Sequence, residues 1–125
     1  MSDFIFFRDK KFQTVVAVTE QEQQKGLMFQ KPPTPIMTFP AKQASIRKFW
    51  MKNTPAPLDI IFATNGKIVD IKKGNPFSLE LIGPDCMVDT VVEVPAGFAQ
   101  KENIKIGDSV LIQYGIKTLS KLISS

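Results

Sequence analysis

The chain has 125 residues, of which 43% are hydrophobic and ten are phenylalanine, and its formal net charge is +4. This length suits a single domain over residues 1–125, with a core that needs no disulfide or metal. The absence of histidine removes the commonest general base and metal ligand, and the single cysteine, Cys86, excludes an intramolecular disulfide. The lysines are scattered along the chain, so the charge gives no strong nucleic-acid signal, and no cofactor is expected.

The N-terminal part is predicted to form a hairpin followed by a short helix. Phe4–Phe7 and residues 12–18 are apolar runs separated by a polar turn, which favours two paired strands. The sequence Thr-Glu-Gln-Glu at 19–22 has the spacing of a capping box and predicts a helix near residues 19–28. Four prolines within residues 32–40 favour an extended segment after that helix.

The remainder of the chain is predicted to form strands joined by turns. The strand patterns lie at residues 46–51, 58–63, 67–74, 88–94 and 109–115. Asn65-Gly66 is the strongest hairpin signal in the chain, because both residues tolerate the left-handed backbone of a tight turn. Residues 116–125 either form a short helix with one apolar side or fray.

About seven short strands and few helices predict a mainly β fold, either a single compact antiparallel β-sandwich or a partly open β-barrel, with one short helix near 19–28. A parallel α/β fold is disfavoured because helical crossovers are too few. No signal peptide is expected, because an acidic residue precedes the first apolar run. No apolar run approaches the ~20 residues that span a bilayer, so a cytoplasmic protein is expected.

A polar cluster interrupts the most apolar part of the pattern, at FWMKNT (49–54) and PLDIIF (57–62). The cluster contains the only tryptophan and three polar residues, namely Trp50, Lys52, Asn53 and Asp59. An unpaired buried polar group costs roughly 1–3 kcal/mol. These residues are therefore expected to form either a structural network or a binding site.

Asp59 and Glu93 are the two candidate carboxylates. Asp59 lies on a predicted central strand, where it either lines a pocket with Lys52 and Asn53 or hydrogen-bonds the neighbouring loop. Glu93 alternates with valines, so its side chain faces away from theirs and is either solvated or partly buried against Lys52 or Lys67. The two carboxylates could perform acid–base chemistry if the fold brought them together.

The order of these motifs resembles the bacterial and archaeal family called domain of unknown function 192. The resemblance rests on Gly26-Leu27-Met28, residues 49–54, 57–62 and 66–69, Val92-Glu93-Val94 with Gly97, and Gly107-Asp108. It covers about residues 14–112 and implies a small β-rich sandwich or barrel without assigning a reaction. One departure is Gln30, where the family usually has an arginine, so an anion site or salt bridge using that arginine would be altered here.

Three functions remain open at this level. The first is a non-enzymatic binding or accessory module, in which Trp50 forms a pocket wall, Lys52 lies at the rim, and Asn53 and Asp59 contact a small polar ligand or a protein partner. The second is a hydrolase or lyase that uses Asp59 and Glu93 as acid and base. The third is a purely structural or interaction protein. Exposed edge strands make a homodimer an alternative to a monomer.

Overall fold

The protein is described by a computed structural model that covers residues 2–124. Within this range the chain forms seven strands and three helices. They are β1 (Asp3–Phe7), β2 (Lys10–Val16), α1 (Glu20–Lys25), β3 (Met37–Ser45), β4 (Leu58–Thr64), β5 (Lys67–Gly74), β6 (Val88–Pro95), α2 (Phe98–Lys101), β7 (Val110–Gln113) and α3 (Ile116–Ser124). The mainly β class is confirmed. The helix α3 is the first of the two alternatives given for the C-terminal segment, and α2 is an additional short helix.

The seven strands form one sheet in the order β5-β4-β6-β3-β2-β1-β7. Every pairing is antiparallel except that of β2 with β3, which is parallel. The edge strands β5 and β7 approach each other at one bridge, between Lys67 and Ser109, without closing a barrel. The sheet is therefore mixed rather than purely antiparallel, and it curls into an open barrel or sandwich.

The parallel pair exists because α1 supplies a crossover between β2 and β3, as a parallel connection requires. The predicted capping box is confirmed: Thr19 Oγ1 accepts from the Glu22 N–H at 3.1 Å, and Glu22 Oε1 accepts from the Thr19 N–H at 3.0 Å. That backbone hydrogen bond, followed by one from Lys121, lowers the pKa of Glu22 to about 2. The helix start is thus determined by local side chains, as expected from the sequence.

The predicted strand at residues 46–51 is wrong. The strand lies earlier, at Met37–Ser45, and includes Pro40, next to which the register with β6 shifts. Residues 46–51 instead form an irregular segment that makes a single bridge, from Phe49 to Ile82. Proline lacks a donor but not an acceptor, so it is tolerated where a ladder is interrupted, and the proline-rich pattern concealed this strand.

The Asn65-Gly66 hairpin is confirmed. It joins β4 to β5, and both residues have left-handed backbones, with φ of 49° and 74°. Asn65 and Gly66 are residue types that adopt this conformation at low cost.

Both faces of the central strands β4 and β6 are buried, and each face carries its own apolar cluster. We call them the Phe39 face and the Ile61 face. The Phe39 face includes Leu27, Phe39, Met51, Ile60, Phe62 and Val91. The Ile61 face includes Ile5, Phe7, Ile61, Val92, Val94 and Ala99. Successive side chains of a strand point to opposite faces, so β4 and β6 contribute to both clusters in alternation.

A buried threonine pair joins the strands on either side of the crossover. Thr38 is fully buried, and its Oγ1 lies 2.9 Å from Thr14 Oγ1. Thr14 Oγ1 donates to the Ile36 carbonyl at 3.0 Å, so Thr38 acts as the donor to Thr14. The Ile36 carbonyl also accepts from the Val15 N–H at 2.8 Å. The hydrogen bonds that run from Thr38 through Thr14 therefore end at the Ile36 carbonyl, which also accepts from a backbone N–H.

This arrangement predicts an asymmetric effect of removing the two hydroxyls. Thr38→Val should cost little stability, because Thr14 keeps its carbonyl acceptor. Thr14→Val should cost about 1–3 kcal/mol, because it leaves the buried Thr38 hydroxyl without a partner. The double variant should be no less stable than Thr14→Val, since it leaves no unpartnered hydroxyl. Urea denaturation of the four proteins measures this, and additive losses would contradict the assignment.

Candidate functional site

A cleft of about 650 Å³ opens on the Phe39 face, between α1 and the irregular segment 46–50. The turn after α1 and the middle of β3 complete its walls. Its lining includes Gln23, Lys25, Gly26, Phe39, Ala41, Arg47, Phe49, Trp50 and Glu93. Three aromatic side chains, Phe39, Phe49 and Trp50, therefore share the cleft with several polar and charged side chains, among which Glu93 is the buried one.

Glu93 is the buried polar group of this cleft. It lies on β6 opposite Met37 of β3 and Ile60 of β4, and it is only 4% exposed. No hydrogen bond to the Glu93 carboxyl is present among residues 2–124. In that range, every side-chain oxygen or nitrogen that is completely shielded from solvent has a hydrogen-bond partner. The Glu93 oxygens must therefore retain a small opening, which leads into the cleft that Glu93 lines.

Burial raises the pKa of the Glu93 carboxyl to about 7, because the charged form loses its hydration. Within residues 2–124 no ion pair to Glu93 opposes this effect. At neutral pH the group therefore exists in both protonation states, and its hydrogen-bonding capacity is available to a molecule in the cleft.

Gly26 lies beside this carboxyl. It ends α1 with a left-handed φ of 50°, and a Cβ placed there would lie 3.7 Å from Glu93 Oε1 and 3.4 Å from Phe39 Cζ. The turn that ends α1 therefore lies within van der Waals reach of the Phe39 ring and the Glu93 carboxyl.

Arg47 holds one wall of the cleft in place. Its Nη1 donates to the Phe39 carbonyl at 2.8 Å, its Nη2 donates to Gln23 Oε1 at 3.2 Å, and its guanidinium lies 5.5 Å from the centre of the Phe49 ring. Burial lowers the pKa of Arg47, an effect that Asp89 opposes. Arg47 therefore ties the segment 46–50 to β3 and α1, a role that the sequence pattern concealed among scattered basic residues.

Trp50, Lys52 and Asn53 lie at the outer edge of the cleft. Trp50 is 42% exposed and separates the cleft from a shallower outer groove, which Lys52 and Asn53 line. The Lys52 ammonium lies 5.1 Å from the centre of the Trp50 ring, and the Asn53 carbonyl accepts from the Phe29 N–H at 2.7 Å. The structure thus places Trp50 with Glu93 on one cleft, and Lys52 and Asn53 beside it rather than in it.

Asp59 lies elsewhere, with the Ile61 face. Its Oδ2 accepts from the Gly97 N–H at 3.0 Å and from the Ala99 N–H at 3.1 Å, where the chain enters α2. Of the two roles expected for Asp59, hydrogen bonding to backbone is the one observed, although the loop it holds is that before α2. A separate depression of about 280 Å³ borders it.

Asp59 and Glu93 do not share a site. In the β4–β6 register, Asp59 is opposite Val94 and Ile60 is opposite Glu93, so the two carboxylates are one step apart and point to opposite faces. The acid–base pair suggested by the sequence is therefore not assembled. Glu93 does face away from Val92 and Val94 as predicted, but it is buried in the cleft rather than placed against Lys52 or Lys67.

No group of three or more histidine, cysteine, aspartate or glutamate side chains is arranged to hold a metal ion in residues 2–124. Over the same range, none of the helices has the length and apolar character needed to cross a membrane.

The fold and its cleft define a small mixed-sheet domain, and comparison identifies its family. The chain belongs to the domain of unknown function 192 family, described as Uncharacterized ACR, whose model matches residues 5–112. A protein of unknown function from Novosphingobium aromaticivorans is similar in structure, with a TM-score of 0.78 and 29% identity over 88% of this chain and 83% of that one.

A second solved structure is similar to the same extent. It is a candidate transcription regulator from Sinorhizobium meliloti, with a TM-score of 0.81 and 26% identity over 88% of this chain and 92% of that one. A search of curated proteins finds no match. The comparisons therefore establish the family and the fold, and the function must be argued from the site.

The hydrogen bonds of Asp59 predict a structural effect of its removal. Asp59→Ala should lower the free energy of unfolding by about 1–3 kcal/mol, because two backbone N–H groups lose a buried acceptor. Asp59→Asn keeps an acceptor oxygen and should lose less. The control is Asp85→Ala, whose side chain is 97% exposed and should leave the denaturation midpoint near that of the parent. Equal losses for Asp59→Ala and Asp85→Ala would refute the capping role.

The raised pKa of Glu93 predicts a pH dependence of stability. Between about pH 4.5 and 7 the unfolded chain releases the Glu93 proton while the folded chain keeps it, so stability falls as pH rises through this window. Relative to Glu93→Gln, the wild type should lose up to about 3 kcal/mol across the window and nothing further above it. Urea denaturation at pH 5, 6, 7 and 8 tests this, and parallel profiles for the two proteins would count against it.

Proposed function

We propose that this protein is a binding module that captures a small organic ligand, or one side chain of a partner, in the cleft beside α1. The observation that carries the proposal is Glu93, a carboxyl that is 4% exposed and faces the cleft without a hydrogen-bond partner among residues 2–124. Burial of such a group without compensation costs free energy. A ligand that forms the missing hydrogen bonds would offset that cost.

The walls of the cleft support the same proposal. Phe39 and Phe49 pack edge to face with ring centres 5.1 Å apart, and Trp50 continues the aromatic surface to the rim. A volume of about 650 Å³ lies within the ~300–1,000 Å³ common for small-molecule sites. Aromatic walls bind the apolar part of a ligand, while Glu93 supplies one directional contact.

The hydrolase or lyase alternative has less support, because its two carboxylates lie on opposite faces of the sheet. The structural alternative accounts well for Asp59, which bonds two backbone N–H groups. It does not account for Glu93, since a group with no partner contributes no stabilising contact. A binding role accounts for both carboxylates, with Asp59 supporting the fold and Glu93 facing the ligand.

Trp50 offers a direct test, because the only tryptophan of the chain lines the cleft. Amines, carboxylates, sugars and nucleotides would be titrated while Trp50 emission and melting temperature are recorded. At least one class should shift the emission and raise the apparent stability, by about 2.7 kcal/mol at a hundredfold excess over its dissociation constant.

Two matched variants locate the site. Ala41→Phe would place a ring in the cleft and should abolish the response, whereas Ala96→Phe, beside the separate depression near Asp59, should preserve it. If every class left both signals unchanged, or if Ala41→Phe bound as well as the parent, the cleft would not be a binding site.

A further inference from the structure

We propose that the cleft binds an organic cation, specifically a protonated alkylamine whose ammonium group donates hydrogen bonds to Glu93 while its alkyl chain lies against the aromatic walls. This inference rests on the proposed binding function and names the chemical class of the ligand. It follows from the charges around Glu93, from the groups in the cleft that could bind a cation, and from the aromatic rings.

The titratable groups that line the cleft besides Glu93 are Glu20, Lys25, Arg47 and Lys48. Arg47 is engaged with Phe39 and Gln23, and the Lys48 ammonium is held at Gly83, Pro84 and Asp85. Lys25 is exposed on α1, and Glu20 is an exposed acid.

The strand neighbours of Glu93, Met37 and Ile60, are apolar. None of the ion pairs among residues 2–124 includes Glu93, and burial is the cause of its raised pKa, so no described cation neutralises it. The positive charge that a buried carboxylate requires is therefore left for a ligand to supply.

The groups around Glu93 suit an organic cation better than a metal ion. A hard metal ion such as calcium takes 6–8 oxygen ligands. No group of three metal-binding side chains occurs in the part of the chain that the structure describes. A buried carboxylate beside aromatic rings suits an ammonium group better, because that group needs few acceptors and is attracted to ring faces.

Aromatic rings form both the inner wall and the rim of the cleft. Phe39 and Phe49 form the inner wall, Trp50 forms the rim, and Glu93 lies beside Phe39 at Gly26. At the rim, the Lys52 ammonium already lies 5.1 Å from the Trp50 ring centre. An alkyl chain that enters past Trp50 and ends in an ammonium at Glu93 would match both the apolar walls and the acid.

The test compares molecules of equal length and different charge. 1-Pentylamine, 1-pentanol and pentanoate would be titrated into the full chain at pH 6 and pH 8, with Trp50 emission and two-dimensional NMR shifts as readouts. Pentylamine should bind at least tenfold more tightly than pentanol at pH 8. Its affinity should fall about tenfold at pH 6, because a proton on Glu93 competes with the ammonium.

Glu93→Gln should remove both the preference for the amine and its pH dependence. The control is Glu102→Gln, which removes the same charge at a residue that is paired with Lys10 outside the cleft and should behave as the parent. If Glu93→Gln fails to fold, the pH dependence of the wild type still decides, because a ligand that accepts a hydrogen bond from the protonated Glu93 carboxyl would bind more tightly at pH 6.

Failure of this inference differs from failure of the proposed function. Binding of pentanol or pentanoate in the cleft, with no preference for the amine, overturns the amine assignment and leaves a binding module. Absence of any cleft response to all three probes overturns the amine assignment, and the proposed binding function falls only if sugars and nucleotides also leave both signals unchanged. An alkylammonium could come from a lysine of a partner protein or from a free amine, and Nα-acetyl-lysine-N-methylamide separates these two sources. Tighter binding of this compound than of pentylamine indicates a partner lysine, whereas its failure to bind indicates a free amine.

Discussion

The alternation of side chains along β4 and β6 is the constraint on which the rest of the structure depends. Both strands have buried residues on both faces, and their buried apolar side chains divide between two clusters. The register places Asp59 opposite Val94 and Ile60 opposite Glu93, which sends neighbouring carboxylates into different surroundings. A slip of one residue would exchange the faces of an entire strand. Core packing therefore keeps a structural carboxylate apart from the one that faces the cleft.

Asp59 and Glu93 are almost equally buried, at 6% and 4% exposure. Among residues 2–124, only Asp59 has hydrogen bonds that offset the free-energy cost of its burial. Two backbone N–H groups stabilise Asp59, whereas burial alone acts on Glu93 and raises its pKa. A fold selected only for stability would place an apolar residue at the position of Glu93. Groups that oppose stability in this way concentrate at functional sites, which is why Glu93 carries the functional argument.

The cleft itself depends on the crossover between β2 and β3. Because these strands are parallel, α1 must pass over the sheet, and the turn after it brings Gly26 against the Phe39 ring and the Glu93 carboxyl. Arg47 then joins the opposite wall to α1 through Gln23. Local patterns predicted α1 but not the parallel pairing, because strand direction depends on contacts between segments that are distant in sequence.

The sequence by itself determined the mainly β class, the capped start of α1 and the Asn65-Gly66 hairpin. It also determined that the Glu93 side chain faces away from those of the neighbouring valines. Each of these depends on residues within a few positions of one another. Only the tertiary structure decided that Asp59 supports α2, that Trp50 lies with Glu93 at one cleft, and that Lys52 and Asn53 lie outside it. Those outcomes follow from strand register and crossover direction, which set the neighbours of a side chain across the sheet and leave no mark in its local sequence.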